Sequence, residues 1–132
     1  GKILIQQRSK NKKTNPLMWI ISVAGHVKSG QTYEQAAHAE LREESGLDTE
    51  LKLYEKQLFR LSNETQFTCS YLGKIPDDVQ IKLDPNETEA VRFVSEMELN
   101  EMIRTSEKIE EYSLSDFRKF FGGEFDKMKF DL

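Results

Sequence analysis

Apolar residues fall in short runs and alternations along the chain, separated by polar segments that contain Gly, Pro, Asn and Asp. Alternation of this kind is typical of strands packed on one face. Five strands are therefore predicted, over residues 2–8, 18–24, 51–61, 66–72 and 90–94. Because residue 1 is followed at once by a strand, we expect that a preceding segment of the domain lies upstream of it.

A helix is predicted between the second and third strands, over residues 33–45. Thr32 suits its N-cap, Gly46 its C-cap, and Ala36, Ala37 and Leu41 recur at helical spacing. Two more helices are predicted after the last strand, one from Ser95 and one from Ser113 or Ser115 to Phe121. Strands around one early helix, followed by helices, predict a single domain over residues 1–132 of the α+β or layered α/β class.

Composition narrows the class of protein. The 132 residues are 37% hydrophobic and 32% charged, with a formal net charge of -4. An acidic balance disfavours a nucleic-acid partner, and the lack of a long apolar run or leader sequence predicts a cytoplasmic protein with no membrane segment. The one cysteine, Cys69, excludes an internal disulfide, and its apolar surroundings favour a buried small side chain.

Three carboxylates stand out on the predicted helix: Glu40, Glu43 and Glu44. Residues three and four positions apart are neighbours on a helix, so these side chains repel one another unless a cation lies among them. Hard oxygen ligands favour Mg²⁺, Mn²⁺ or Ca²⁺. The alternative is a solvated acidic face screened by Arg42.

The segment around these carboxylates resembles the Nudix box, G-x5-E-x7-R-E-U-x-E-E-x-G-U with U aliphatic. Seven of the nine specified positions match: Gly25, Glu40, Leu41, Glu43, Glu44, Gly46 and Leu47. The resemblance implies an α/β/α sandwich with a mixed β-sheet between helices. Gln31 and Ala39 stand where the box has Glu and Arg. The resemblance implies that this Glu and Arg form an ion pair that supports the loop against the helix. Loss of both leaves no unpaired buried charge, but it predicts reduced loop rigidity and activity.

The resemblance also implies a site. Glu40 and Glu44 would bind Mg²⁺ or Mn²⁺ together with the carbonyl oxygen of Gly25. Glu43 would be either a further ligand or the base that orients the attacking water, so Glu43 and Glu44 are the predicted catalytic residues. A fourth carboxylate is expected from another loop, with Glu64 preferred over Glu87 and Glu89.

Residues outside the box resemble the isopentenyl-diphosphate isomerase branch of the Nudix superfamily. They are Gln7-Arg8-Ser9-x3-Lys13, Asn15-Pro16-Leu17-Met18-Trp19 and Ser22-Val23-Ala24-Gly25-His26. The resemblance implies that Arg8, Lys12, Lys13 and His26 contact a diphosphate. Ala24 stands where an isomerase of this branch has cysteine, and alanine has no proton to exchange with carbon. Isomerase activity is therefore disfavoured.

The leading hypothesis is metal-dependent hydrolysis of a small-molecule diphosphate, and the second is a diphosphate-binding module with weakened catalysis. The group beyond the phosphates stays open. Trp19, Phe59, Phe67 and Tyr71 could stack on a base or a prenyl chain, although alternation along strands favours core packing. The C-terminal phenylalanines are candidates for packing or a homodimer contact: Phe117, Phe120, Phe121, Phe125 and Phe130.

Overall fold

A computed structural model describes residues 1–23, 25–60, 65–76 and 78–123. Its elements, in chain order, are β1 Ile3–Arg8, β2 Trp19–Ile21, α1 Tyr33–Ser45, β3 Leu51–Arg60, β4 Thr65–Gly73, β5 Thr88–Val94, α2 Glu96–Arg104 and α3 Glu111–Phe121. Residues 1–23 and 82–123 form one compact unit, and the described residues between 25 and 81 form another.

The first unit contains a three-stranded sheet in the order β2-β1-β5, with every pair antiparallel. Ile5 lies at its centre, paired with Ile21 on one side and Arg92 on the other, and is fully buried. The core around it comprises Ile5, Trp19, Val94, Leu99, Met102 and Phe117. Burial of such large apolar side chains is the dominant favourable term in folding.

Both helices of the first unit begin at a side-chain cap. The Ser95 hydroxyl accepts the Glu98 N–H at the start of α2, 3.2 Å away. The Glu110 carboxylate accepts the N–H groups of Tyr112 and Ser113 at the start of α3. This cap is why α3 begins at Glu111, earlier than the predicted serines.

The second unit contains α1 and an antiparallel pair of strands, β3 and β4. The Thr32 hydroxyl accepts the Gln35 N–H and the Gln35 side chain accepts the Thr32 N–H, which is a reciprocal capping box. Gly46 ends the helix with φ 73°, a left-handed conformation that glycine adopts without a steric penalty. The predicted bounds and both predicted caps of α1 are confirmed.

The α+β class is confirmed. The described strands pair antiparallel, and a parallel pairing occurs as an isolated bridge between Trp19 and Ile109. β2 is much shorter than predicted, because the chain leaves the ladder at Ser22, whose hydroxyl donates to the Leu4 carbonyl instead. Within the described residues, no helix has the length and apolar character needed to cross a membrane.

The aromatic side chains divide between core and surface. Trp19 is buried as predicted. Phe117 is buried and Phe121 packs against the same core, which supports the packing alternative for these two residues. The core interpretation was wrong for Phe67, which is 53% exposed. Cys69 is partly buried and free. Other predicted aromatic positions, the Phe59 side chain, Phe125 and Phe130, lie outside the described residues.

Candidate functional site

Helix α1 carries the three predicted carboxylates along its C-terminal half. Glu40 and Glu44 are half-buried and lie one turn apart, whereas Glu43 is exposed. Ala36, on the opposite side of the helix from Ser45, is buried, and so is Ser45. Both residues are therefore shielded from solvent, whereas the three carboxylates between them along the chain are at least partly accessible.

Gly25 lies directly against Glu40. A Cβ atom built on Gly25 would fall 2.2 Å from Cδ and 2.6 Å from Oε1 of Glu40. Only a residue without a side chain allows this approach, since real Cβ atoms do not come so close to another heavy atom. The loop backbone and the first predicted ligand of α1 are therefore in contact, as a shared site would require.

The loop between Gly25 and α1 is closed by its own hydrogen bonds. The Gln31 side chain accepts the Lys28 N–H at 3.0 Å, and the Gln31 N–H donates to the Lys28 carbonyl at 3.1 Å. Gly30 adopts φ 84° within this turn. Gln31 consequently holds the turn as a neutral acceptor. Ala39, where the resembling family has Arg, is half-buried on α1.

The oxygen atoms of this site are of the chemical type that binds a hard divalent cation. Carboxylate oxygens of α1 and the backbone of Gly25 are the oxygen ligands such a cation prefers. Within the described ranges, no three His, Cys, Asp or Glu side chains come together as a group that could hold a metal ion.

The predicted basic loop lies in the first unit. Arg8 donates from Nε to the Thr14 carbonyl and from Nη2 to the Thr14 hydroxyl, both at 3.0 Å. The Lys12 ammonium forms an ion pair with Glu87 at 2.8 Å. Lys13 is exposed. Arg8 therefore shapes the loop from within, and Lys12 already has a carboxylate partner.

The alternative fourth carboxylates, Glu87 and Glu89, both bind this basic loop. Glu87 pairs with Lys12, and Glu89 accepts the Lys10 N–H at 3.3 Å. Glu64, the preferred candidate, lies outside the described residues. Sequence reasoning gave no sign of the two contacts, because they join positions more than 70 residues apart.

The two histidines have different surroundings. His26 is exposed in the loop after Gly25. His38 is partly buried on α1, with Nε2 3.7 Å from Glu34 and Nδ1 3.8 Å from Asp48. Both distances exceed those of hydrogen bonds, so neither carboxylate is hydrogen-bonded to the His38 ring.

An exposed cluster in the second unit escaped sequence reasoning. The Lys56 ammonium lies 5.5 Å from the ring centroid of Tyr33 and 5.3 Å from that of Phe67. We call Tyr33, Lys56 and Phe67 the aromatic-lysine patch. Nearby, burial raises the pKa of Tyr71, with contributions from Cys69, Glu34 and Tyr33. Alternation along β3 and β4 could not reveal this cluster, because it depends on how α1 meets the strands.

Comparison with known proteins assigns the family. The NUDIX domain model matches residues 1–117, which include elements of both units. The chain therefore belongs to the NUDIX domain family.

Individual relatives agree with that assignment. An uncharacterised Nudix hydrolase of Listeria monocytogenes is 36% identical over 109 residues, covering 80% of this chain and 62% of the relative. An isopentenyl-diphosphate Delta-isomerase of Photorhabdus laumondii is 29% identical over 111 residues, again covering 80% of this chain and 62% of the relative. The chain thus spans less than two thirds of the length of either relative.

The fold has solved counterparts. A crystal structure of a protein from Deinococcus radiodurans matches with a TM-score of 0.72 and 25% identity, covering 90% of this chain and 74% of that one. The predicted resemblance to the Nudix superfamily, with relatives in the isomerase branch, is confirmed.

Proposed function

We propose that this chain is the NUDIX domain of a metal-dependent hydrolase that cleaves a diphosphate linkage of a small molecule. Water attacks phosphorus and one P–O bond of the linkage breaks. The two products are phosphate monoesters, or one monoester and inorganic phosphate or pyrophosphate. The observation that carries this proposal is the contact between Gly25 and Glu40, which brings the loop backbone to the carboxylate face of α1.

Each residue has a chemical task in this proposal. Glu40, Glu44 and the Gly25 carbonyl oxygen would hold Mg²⁺ or Mn²⁺, and a bound divalent cation neutralises the negative charge of the diphosphate. The side chain of Glu43 is exposed to solvent, so it would be able to orient the attacking water and accept its proton. Glu64 is the proposed fourth carboxylate.

The proposed phosphate contacts in the basic loop are the cationic side chains of Lys12 and Lys13, and His26 is a further proposed contact. Arg8 supports them indirectly, because its two hydrogen bonds to Thr14 fix the loop that carries the lysines. Lysine serves here as a mobile point charge that can exchange a carboxylate partner for a phosphate.

The test is release of phosphate or pyrophosphate from nucleotide and prenyl diphosphates, with and without Mg²⁺ or Mn²⁺. Glu44→Gln keeps the side-chain volume and removes the charge, so turnover should fall on the order of a hundredfold. Glu50→Gln, an exposed carboxylate of the same unit that pairs with Lys52, is the matched control and should retain activity.

Two other results would contradict hydrolysis. Tight binding of a diphosphate without turnover would assign the chain to the binding-module alternative, for which Gln31 and Ala39 are the motivating residues. Interconversion of isopentenyl and dimethylallyl diphosphates would instead assign it to isomerases, in spite of alanine at position 24.

A further inference from the structure

The pairing of β1 with β5 contains a β-bulge at the end that leads into the basic loop. Gln7 lies opposite Ala90, but the next residue of β1, Arg8, lies opposite Thr88. Glu89 is therefore the extra residue of β5 and has no partner of its own in β1. Bulges redirect side chains and are frequent next to active sites.

The bulge decides which face of the sheet carries the side chain of Thr88. Residues directly opposite each other in an antiparallel pair lie on the same face, and side chains alternate along a strand. Opposite Arg8, Thr88 therefore lies on the same face as Gln6. Without the bulge it would lie opposite Ser9, on the same face as Ile5, which belongs to the core. A slip of one residue would thus change the face on which Thr88 lies.

A buried hydrogen bond depends on this register. The Thr88 hydroxyl donates to Oε1 of Gln6 at 2.8 Å, and the two residues are only 4% and 5% exposed. Only the bulged register places both side chains on one face, so the bond forms in that register and is lost in the other. Two apolar groups of the same shape would be about as stable as this buried polar pair. The bond is therefore better explained by selection of register than by stability.

The register also sets the position of the basic loop. Ser9 is fully buried, its N–H donates to the Glu87 carbonyl at 3.0 Å, and its carbonyl accepts the Lys12 N–H at 3.1 Å. Glu89, the bulge residue, accepts the Lys10 N–H at 3.3 Å. A slip of β5 by one residue would move both glutamates along the loop, and it would break the contacts that fix the backbone of Lys12.

We propose that Gln6 and Thr88 are positioning residues for diphosphate binding. Their buried hydrogen bond selects the bulged register of β5, and that register holds the basic loop where Lys12 can meet a phosphate. Both residues act through the loop and not by touching the substrate. The inference rests on the proposed function, in which Lys12 and Lys13 are the phosphate contacts.

The first test is steady-state hydrolysis of ADP-ribose by the 132-residue chain and its variants. Thr88→Val removes the hydroxyl and keeps the side-chain shape, so KM should rise about fivefold while kcat stays within about twofold. Thr88→Ser keeps the hydroxyl and should restore KM. Thr105→Val removes a hydroxyl that donates to the Glu101 carbonyl in the same unit, and this matched control should behave as the unmodified chain.

A double variant separates position from stability. Thr88→Val leaves the buried Gln6 oxygen without its donor, so the midpoint of urea unfolding should fall by about 1 M. Gln6→Leu combined with Thr88→Val removes both polar groups, and its midpoint should return to within about 0.3 M of the unmodified chain. Its KM should stay raised, because the bond that selects the bulged register is gone. A normal KM in the double variant, or in Thr88→Val itself, would show that the pair serves stability alone.

Calorimetric titration tests the proposal without turnover. The probe is methylenediphosphonate, a diphosphate analogue whose P–C–P bridge resists hydrolysis, in buffer containing Mn²⁺. Binding about fivefold weaker in Thr88→Val than in Thr105→Val supports the proposal. Equal binding by the two variants, or no binding by the unmodified chain, overturns it.

Failure of the hydrolase proposal gives a different pattern. If Glu44→Gln leaves hydrolysis unchanged, the proposed metal face of α1 is wrong, and the titration still decides whether Thr88 positions the loop. If Glu44→Gln abolishes hydrolysis but Thr88→Val leaves both KM and the titration unchanged, the positioning role is wrong and the hydrolase proposal stands.

Discussion

The backbone of Gly25 lies so close to the Glu40 side chain that a Cβ atom there would come within 2.2 Å of Glu40 Cδ. The blocked atoms belong to the flexible end of a glutamate, which can rotate away. A side chain at position 25 is therefore accommodated by moving the carboxylate. A side chain at position 25 should therefore displace a proposed metal ligand and hardly change the stability of the fold.

Gly25→Ala should lower Mn²⁺ affinity about tenfold, because loss of a supporting contact at a metal site commonly has an effect of this size. The free energy of unfolding should change by less than about 1 kcal/mol. Calorimetric titration and urea unfolding measure the two quantities. Glu40→Ala should lower affinity as well, and the double variant should lose little more, because the same ligand is already displaced. Additive losses would show that Gly25 acts independently of Glu40.

Gln31→Ala should weaken the turn that leads into α1. The substitution removes the acceptor of the Lys28 N–H, a bond worth about 1 kcal/mol, so kcat/KM for the diphosphate substrate should fall roughly fivefold. Gln31→Glu keeps an acceptor oxygen at this position and should retain most activity. If Gln31→Glu instead lowers activity as much as Gln31→Ala, the amide group itself is required.

Glu87→Gln distinguishes two functions of this carboxylate. If Glu87 only forms an ion pair with Lys12, removing its charge frees the ammonium for the substrate, and KM for the diphosphate should fall about threefold. The free energy of unfolding should change little, because exposed ion pairs contribute at most about 1 kcal/mol. Glu89→Gln, whose carboxylate accepts from the Lys10 backbone, is the control. A fall in Mn²⁺ affinity in Glu87→Gln would identify Glu87 as a metal ligand.

Tyr71 should make the stability of the chain depend on alkaline pH. Burial raises its pKa in the folded state above the ordinary value of 10.0, so the folded chain keeps a proton that the unfolded chain loses. The contribution is fully present below pH 10.0 and is lost as pH rises through the folded pKa. Urea unfolding between pH 9 and 11, a range of about one unit either side of that value, measures it.

Tyr71→Phe should flatten this pH dependence, because phenylalanine has no proton to lose. Tyr112→Phe removes a hydroxyl at a residue that is 64% exposed in α3 and controls for loss of the group itself. Parallel pH profiles for the Tyr71→Phe variant and the unmodified chain would contradict the assigned cause.

Local chemistry determined much of what the sequence predicted. Thr32 and Gly46 fix the ends of α1 because a hydroxyl cap and a left-handed glycine act on their immediate neighbours. The spacing of Glu40 and Glu44 is likewise a property of any helix over that segment. Fold class, the acidic face and the NUDIX family followed from such short-range patterns.

Only the tertiary structure decided which distant groups meet. The approach of Gly25 to Glu40, the pairing of Lys12 with Glu87 and the placement of Lys56 over Tyr33 and Phe67 each join separate elements. Alternation along β4 assigned Phe67 to the core, since it reports which residues share a face but not whether anything covers that face. Burial and ion pairing are properties of the packed chain, and for that reason they lay beyond the sequence.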